Sequence, residues 1–445
     1  MKTTFVFAGL TAWMLCLAAA FAGEQKIPPD YSKHLKFLGN PNSSRWYGTN
    51  AVMRNSRFCM TLFPHRGRIY LSGGDWNGNT GSCPIFSIDP DTEMFTQEYS
   101  AGTESVTYFR EGGDGRLYVP GMDLREGAET MGAYFRRDAD GTWTNMMNCP
   151  IGNIREFQKH FADQGYFIHT WDLACWKKKV FVAGYGISCG DEGTNEMFKD
   201  ASPSVTSCLT KVWMTTKNGR RFGTLVMRRF EAFLPFPDEL FCYPLAYRYV
   251  TENESETKHV VEEWRFDEKK GVFKQGENTW DNLYPDDVPV PLFGNTARQG
   301  TIPQCVTKFK NRCLYLAGSE GQRQRPRGLY SAMNVNHTVR AVKVKLPEDE
   351  IPVNITVYEN KIAAMTIRRL EDGKFVNSVW ESADGVEFRQ LFTFKFRQGF
   401  PAGAFCKVGK KWFFSVGVPI SPAAEPAVEY NGDEGAVYRI KEPVD

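Results

Sequence analysis

Three observations on this 445-residue sequence predict an all-β fold, a seven-bladed β-propeller of four-stranded antiparallel blades. The first is a unit. Residues 58 to 98 read as a strand, a tight turn at Arg66-Gly67, a second strand from Arg68 to Ser72, and a Gly- and Asn-rich loop. A third strand (Pro84 to Ile88), a turn at Asp89-Pro90-Asp91 and a fourth strand from Met94 complete it. Such a unit cannot bury both faces alone. The second observation is its recurrence: the core of the second strand, RIYLSGG at Ile69, returns as RLYVPG at Leu117, KVFVAG at Val180, ELFCYP at Leu240, CLYLAG at Leu314, KIAAMT at Ile362 and KWFFSVG at Trp412. A period of about 40 to 50 residues, lengthened by insertions, is the spacing of propeller blades, and seven hairpins imply seven of them. The third is composition. Aromatic residues make up 14% of the chain beside 40 Gly and 24 Pro, which suits short strands and tight turns.

From the N-terminus, residues 1 to 22 have Lys2, an apolar run from Val6 to Ala20 and the small-x-small sequence Ala20-Phe21-Ala22, which reads as a cleaved secretory signal peptide. The mature chain is therefore expected outside the cytoplasm, secreted or periplasmic, with no membrane span. Residues 23 to 52 are too short and polar for a domain, but Leu35-Lys36-Phe37-Leu38 alternates as a strand does. Residues 53 to 445 form the propeller. Its last blade offers only three strands, in AFCKVG, KWFFSVG and AVYRIK, so the N-terminal segment is expected to supply the fourth and close the ring.

Without Cys16 the chain keeps ten of its 11 cysteines, an even number in an exported protein. Cys189 with Cys208, bracketing one long loop, and Cys305 with Cys313, on facing strands of one hairpin, are the candidate disulfides. The reading of Cys59, Cys242 and Cys406 as small buried hydrophobes fits as well. Four N-x-S/T sequons occur, at Asn42, Asn253, Asn336 and Asn354; the last falls in an inner strand where a glycan has no room.

Turns between third and fourth strands carry a second signal. Ser382 to Leu391 (SADGVEFRQL), Thr216 to Leu225 (TKNGRRFGTL), Asp138 to Met146 (DADGTWTNM) and Asp267 to Gln275 (DEKKGVFKQ) share an acidic or Asn residue, a Gly and a nearby aromatic. Here the chain resembles the Asp-box repeats of sialidase-like propellers, with Ser382-Ala383-Asp384-Gly385 nearest the full pattern. That resemblance implies fold rather than activity. Over residues 67 to 186, GGDWNGNTG, DGRLYVPGMD and IHTWDLACWKKKVFVAGYG resemble secreted bacterial propellers without an established activity, which implies fold and export and transfers no catalytic residue.

Loops joining first to second strands are short, while most of those joining second to third are long, so one face is elaborated. That face is expected to gather Asp75, Trp76, Asp123, Tyr247, Glu320, Arg323 and Arg369, aromatic platforms and charges suited to sugar rings, hydroxyls and uronates. Any one of them is equally an ordinary loop residue. Asp75-Trp76-Asn77-Gly78-Asn79 has the one-three-five oxygen spacing of a calcium loop, but its Gly is off position and no Glu follows at the twelfth place. A loop held by its own hydrogen bonds is the better reading, and no metal or cofactor is expected.

Were the chain an enzyme, a polysaccharide lyase would draw on His160, His169, Tyr185 and Arg248, and a glycoside hydrolase on two carboxylates. Strand alternation puts His169 and Asp172 on opposite sides, so they form no simple dyad. Lys plus Arg at 54 against Asp plus Glu at 52 leaves a net +2, no footprint for nucleic acid. Two function classes follow: an exported monomeric propeller that binds, or binds and cleaves, a carbohydrate at the loop-rich face, or a scaffold that docks an envelope protein.

Overall fold

The computed structural model describes residues 27–41, 59–74, 82–124, 130–150, 166–187, 211–215, 221–227, 230–244, 246–247, 260–270, 272–286, 290–292, 295–318, 328–417 and 432–441. The signal segment, the Cys189 and Cys208 pair, and the sequons at Asn42 and Asn253 lie outside them.

After β1 (Leu35–Gly39), the first sheet comprises β2 (Cys59–His65), β3 (Arg68–Gly73), β4 (Cys83–Ile88) and β5 (Phe95–Ala101). Beyond β6 (Thr103–Ser105) follow β7 (Arg110–Glu111), β8 (Leu117–Pro120), β9 (Met122–Leu124), β10 (Thr130–Arg137) and β11 (Trp143–Pro150), of which all but β9 make the second sheet. The third is β12 (Tyr166–Trp176), β13 (Lys179–Ile187), β14 (Lys211–Thr215) and β15 (Arg221–Met227). The fourth takes β16 (Phe230–Pro235) and β17 (Leu240–Pro244), skips β18 (Ala246–Tyr247), and adds β19 (Val260–Asp267) and β20 (Val272–Thr279). Next come β21 (Val290–Leu292), β22 (Asn295–Phe309), β23 (Arg312–Gly318), β24 (Leu329–Val335) and β25 (Thr338–Lys343), which with β18 form a six-stranded sheet. The sixth is β26 (Ile351–Tyr358), β27 (Lys361–Arg369), β28 (Phe375–Ser382) and β29 (Arg389–Phe394). Last are β30 (Ala402–Val408), β31 (Lys411–Val416) and β32 (Val437–Ile440).

The structure is thus an all-β propeller of antiparallel blades. Repeat counting predicts seven four-stranded blades; six sheets have four strands, and the repeat at Leu314 lies in the six-stranded sheet. The reason is an insertion. The N-terminal half of β22 runs past the blade and pairs with β21 and with β18, which leaves the fourth sheet to reach it.

The N-terminal segment supplies the outer strand of the last sheet, in the order β1-β32-β31-β30. Leu35 pairs with Ile440 and Phe37 with Tyr438. The same segment ties to both neighbours: Tyr31 N–H donates to Thr393 O at 2.8 Å on the sixth sheet, and Lys36 pairs with Glu93 in the β4–β5 turn of the first. Glu93 also binds Arg439 of β32 at 2.6 Å. Three sheets share one strap.

Local rules explain the plain face. The β2–β3 turn, Arg66-Gly67, has φ of 47° and 76°, and the β24–β25 turn, Asn336-His337, has 51° and 66°, the left-handed pair of a type I′ hairpin. Carboxylates secure the turns from third to fourth strand. Asp384 Oδ1 accepts from the Val386 and Glu387 amides at 2.8 and 3.0 Å and from the Ser382 hydroxyl at 2.8 Å, while Gly385 stands at φ +80°. Asp89 and Asp267 each accept two amides in the same way, and Asp140 accepts one. Amide donation holds the Asp384 carboxyl down at about 2.

Apolar clusters fill the seams between sheets. Trp412, Phe414 and Phe405 meet Phe392 and Phe394 between the last and sixth sheets, while Leu62, Ile69 and Phe86 meet Ala404, Phe413 and Val437 between the first and last. Cys305 and Cys313 form no disulfide, because the tight turn that pairs Phe309 with Arg312 sets Lys308, not Cys305, opposite Cys313. The two pack into different seams, Cys305 with Ile355 and Ile362, Cys313 with Phe241 and Tyr315. Cys242 and Cys406 are buried as small hydrophobes.

Candidate functional site

The first strands of the sheets converge on a central channel containing a cavity of about 370 Å³. Its walls come from β2, β7 and the residues before it, β12, β16, β22 and β26. A bulge recurs along these strands, at Thr61 in β2, Asp172 in β12, Ala232 in β16 and Asn354 in β26. At Asp172 and Asn354 the irregularity turns a polar side chain out of alternation and toward the neighbouring blade. Asn354 Nδ2 donates to Gly403 O of β30 at 3.0 Å, and this bond occupies the sequon in the inner strand.

Asp172 makes the strongest of these clamps. Only 3% exposed, it accepts the Leu173 amide on Oδ1 and the Phe233 amide of the next sheet on Oδ2, each at 2.7 Å. Arg110 completes the cluster: Nη2 lies 3.5 Å from Asp172 Oδ1, Nε donates to Leu173 O at 3.3 Å, and the guanidinium carbon stands 4.2 Å over the Tyr108 ring. The Tyr108 hydroxyl donates to Trp171 O. Burial raises the Asp172 carboxyl, opposed by Arg110 and by the hydrogen bonds, and burial with the Asp172 charge raises the Tyr108 phenol well above its usual range. The cluster joins three elements across two seams.

Further along the channel, buried His65 places Nδ1 3.3 Å from Glu111 Oε2. Two thiols, Cys175 and Cys305, line the cavity; burial pushes Cys305 up to about 11, while Arg110 acts in the opposite direction. Two other raised carboxyls, Glu263 and Glu350, are spent within their sheets. Glu263 receives Tyr243 and Asn278, and Glu350 receives Thr366 and Ser378.

Among the candidates drawn from sequence, His169 and Tyr185 are paired in strand register, opposite each other on β12 and β13. The register shift between Thr170 and Asp172 breaks the alternation from which the His169 and Asp172 sides were deduced, and Asp172 turns to the blade seam instead. Asp123 lies in β9, which pairs with β6, and Tyr247 lies in β18 opposite Gly300 of β22. Both strands build small ladders on the loop-rich face. Arg369 ends β27, exposed, opposite Phe375. Asp75, Trp76, His160, Arg248, Glu320 and Arg323 lie outside the described residues.

Sequence reasoning missed Tyr108, Arg110 and Asp172 as a unit. The available signal was a lone carboxylate inside a largely apolar strand sequence, Thr170-Trp171-Asp172-Leu173-Ala174. Among the described residues no three of His, Cys, Asp and Glu gather into a metal-holding group, and no helix is long and apolar enough to cross a membrane.

No protein-family model matches the chain, and no curated protein does. Solved structures resemble it in fold. A chain of a mitotic checkpoint complex aligns with a TM-score of 0.46 at 10% identity, over 94% of this chain and 97% of its own. The β-propeller domain of the Trilobed protease from Pyrococcus furiosus gives 0.43 at 9%, over 82% and 91%. An acylaminoacyl peptidase from Pyrococcus horikoshii gives 0.44 at 10%, over 80% of this chain and 49% of that one. No site residue is carried over from any of them.

Proposed function

We propose that this chain is an exported seven-bladed propeller that binds a carbohydrate in its central channel, where the inner strands run toward their short first-to-second-strand turns. The six-stranded sheet counts as the seventh blade, enlarged by β18 and β21. The single observation that carries the functional reading is the channel itself: a cavity of about 370 Å³, within the size range of small-molecule sites, walled by the inner strands of successive sheets. Its lining mixes apolar surface (Phe63, Ile355) with hydroxyls and the Arg110 cation, the combination that sugar faces and sugar hydroxyls require.

The register that sets the sequence candidates His169 and Tyr185 opposite each other on neighbouring strands supports keeping cleavage within the same proposal. The Asp384 turn, with its Ser382 and amide hydrogen bonds, supports membership of the Asp-box superfamily. Residues 1 to 22 support export.

The test is incubation of the mature protein with a panel of polysaccharides, uronate-containing ones included. Retention in affinity electrophoresis reports binding, absorbance of unsaturated products reports elimination, and reducing ends report hydrolysis. Retention by at least one polysaccharide is the expected result. Absence of retention and products across the panel, with the protein shown folded, would overturn the proposal and move weight to docking of an envelope protein.

A further inference from the structure

We infer that the channel interior is an oxyanion site, in which Arg110 and Lys308 receive the carboxylate of a sugar acid and Thr107 and Thr356 receive its hydroxyls. The argument is an account of unspent donors. Arg110 carries five N–H groups; one serves Leu173 O and one faces Asp172, so three have no partner among the described residues. Lys308, on the cavity wall from β22, is exposed and has no carboxylate partner among them. Thr107 and Thr356 are 6% and 8% exposed, line the same cavity, and make no hydrogen bond to any described residue. Neither hydroxyl is sealed off from the cavity, so both can bond a ligand or water there.

The carboxylates nearby do not cancel this donor surplus. Asp172 has both oxygens filled by backbone amides, while Glu111, whose Oε2 lies 3.3 Å from His65 Nδ1, is among the described residues the one carboxylate on the cavity wall whose charge opposes an anion there. The Arg110 charge reaches the opposite wall, where it acts on the Cys305 thiol of β22. A planar guanidinium held over Tyr108 is also preorganised for two-point binding of a carboxylate or phosphate. In its choice of sugar hydroxyls the inference rests on the carbohydrate reading above; in its choice of an anion it does not.

The experiment is titration calorimetry of the mature chain with glucuronate, glucose and inorganic phosphate as probes. Glucuronate is expected to bind at least tenfold more tightly than glucose, and more weakly as salt is raised. Arg110→Lys should weaken glucuronate at least tenfold, because a point charge cannot make the two-point contact. Lys308→Ala, at an exposed position that leaves the fold unchanged, should weaken it several-fold and carries the test if the Arg110 variant fails to fold. Thr107→Val with Thr356→Val should weaken glucuronate but leave phosphate unchanged. Phosphate binding that is lost in Arg110→Lys, with no binding of either sugar, would support the oxyanion site and sink the carbohydrate reading. Equal binding of glucose and glucuronate, or glucuronate binding indifferent to both cationic variants, would overturn the oxyanion site while leaving the carbohydrate reading in place. No binding of any probe would overturn the site as well.

Discussion

Asp172 is the residue on which the inner ring turns. Its two oxygens satisfy amides on two different sheets, and its charge offsets Arg110. Asp172→Ala would leave two buried amides and a partly buried cation without an acceptor, so we expect a loss of about 3 to 5 kcal/mol in denaturant unfolding. A loss below about 1 kcal/mol would contradict the clamp. The turn carboxylates act in the opposite pH sense. Asp384 titrates at about 2 in the folded chain against 3.8 ordinarily, so its contribution is present above pH 4 and is lost as pH falls through 2. Asp89, Asp140 and Asp267 are lowered too, the first two chiefly by backbone amides and the last chiefly by Lys274. Asp384→Asn should therefore give a shallower fall in stability between pH 4 and 2 than the parent shows. Gly385→Ala adds strain at φ +80° and presses Cβ to 3.3 Å from Leu314 and Phe309, which should cost about 1 kcal/mol or more. These turns were legible because Asp and Gly sit within a few residues of each other. The Arg110 cluster was not, since Tyr108, Asp172 and Phe233 come together only when the blades close, each about 60 residues from the next.

Among elements, β1 matters most for its size. Leu35 to Leu38 alternate, and the last blade lacks a strand; together these announced the pairing that the β1 and β32 register displays. The strap to Thr393 and Glu93 was not legible, because it depends on which sheets flank the closure. Deleting residues 23 to 40 removes the outer strand and both ties, so thermal unfolding should shift down by at least about 5 °C. An unchanged melt would remove the closure from the account. The bulge in β22 shows the limit of hairpin reasoning. Facing strands made Cys305 and Cys313 a candidate pair, but the register from the Lys310 turn sets Cys313 opposite Lys308, and one extra residue between Gln304 and Thr307 shifts the rest of the strand. Thiol counting on the mature protein without reductant should find Cys305 and Cys313 free.

For the whole molecule, the repeat made the propeller legible from seven short strings, since each blade buries its faces only against the next. The sheet that departs from four strands does so through β18, β21 and the long β22, all drawn from insertions whose pairing no periodicity encodes. The same geometry sets the channel as the one place where inner strands from many blades share a surface. The most direct measurement of the central claim is hydrogen exchange of the mature chain, with and without the polysaccharide that the panel retains most strongly. The account predicts slowed exchange along β2, β12, β22 and β26. Protection confined to the outer strands β5, β20 and β29, with the inner strands unchanged, would contradict it.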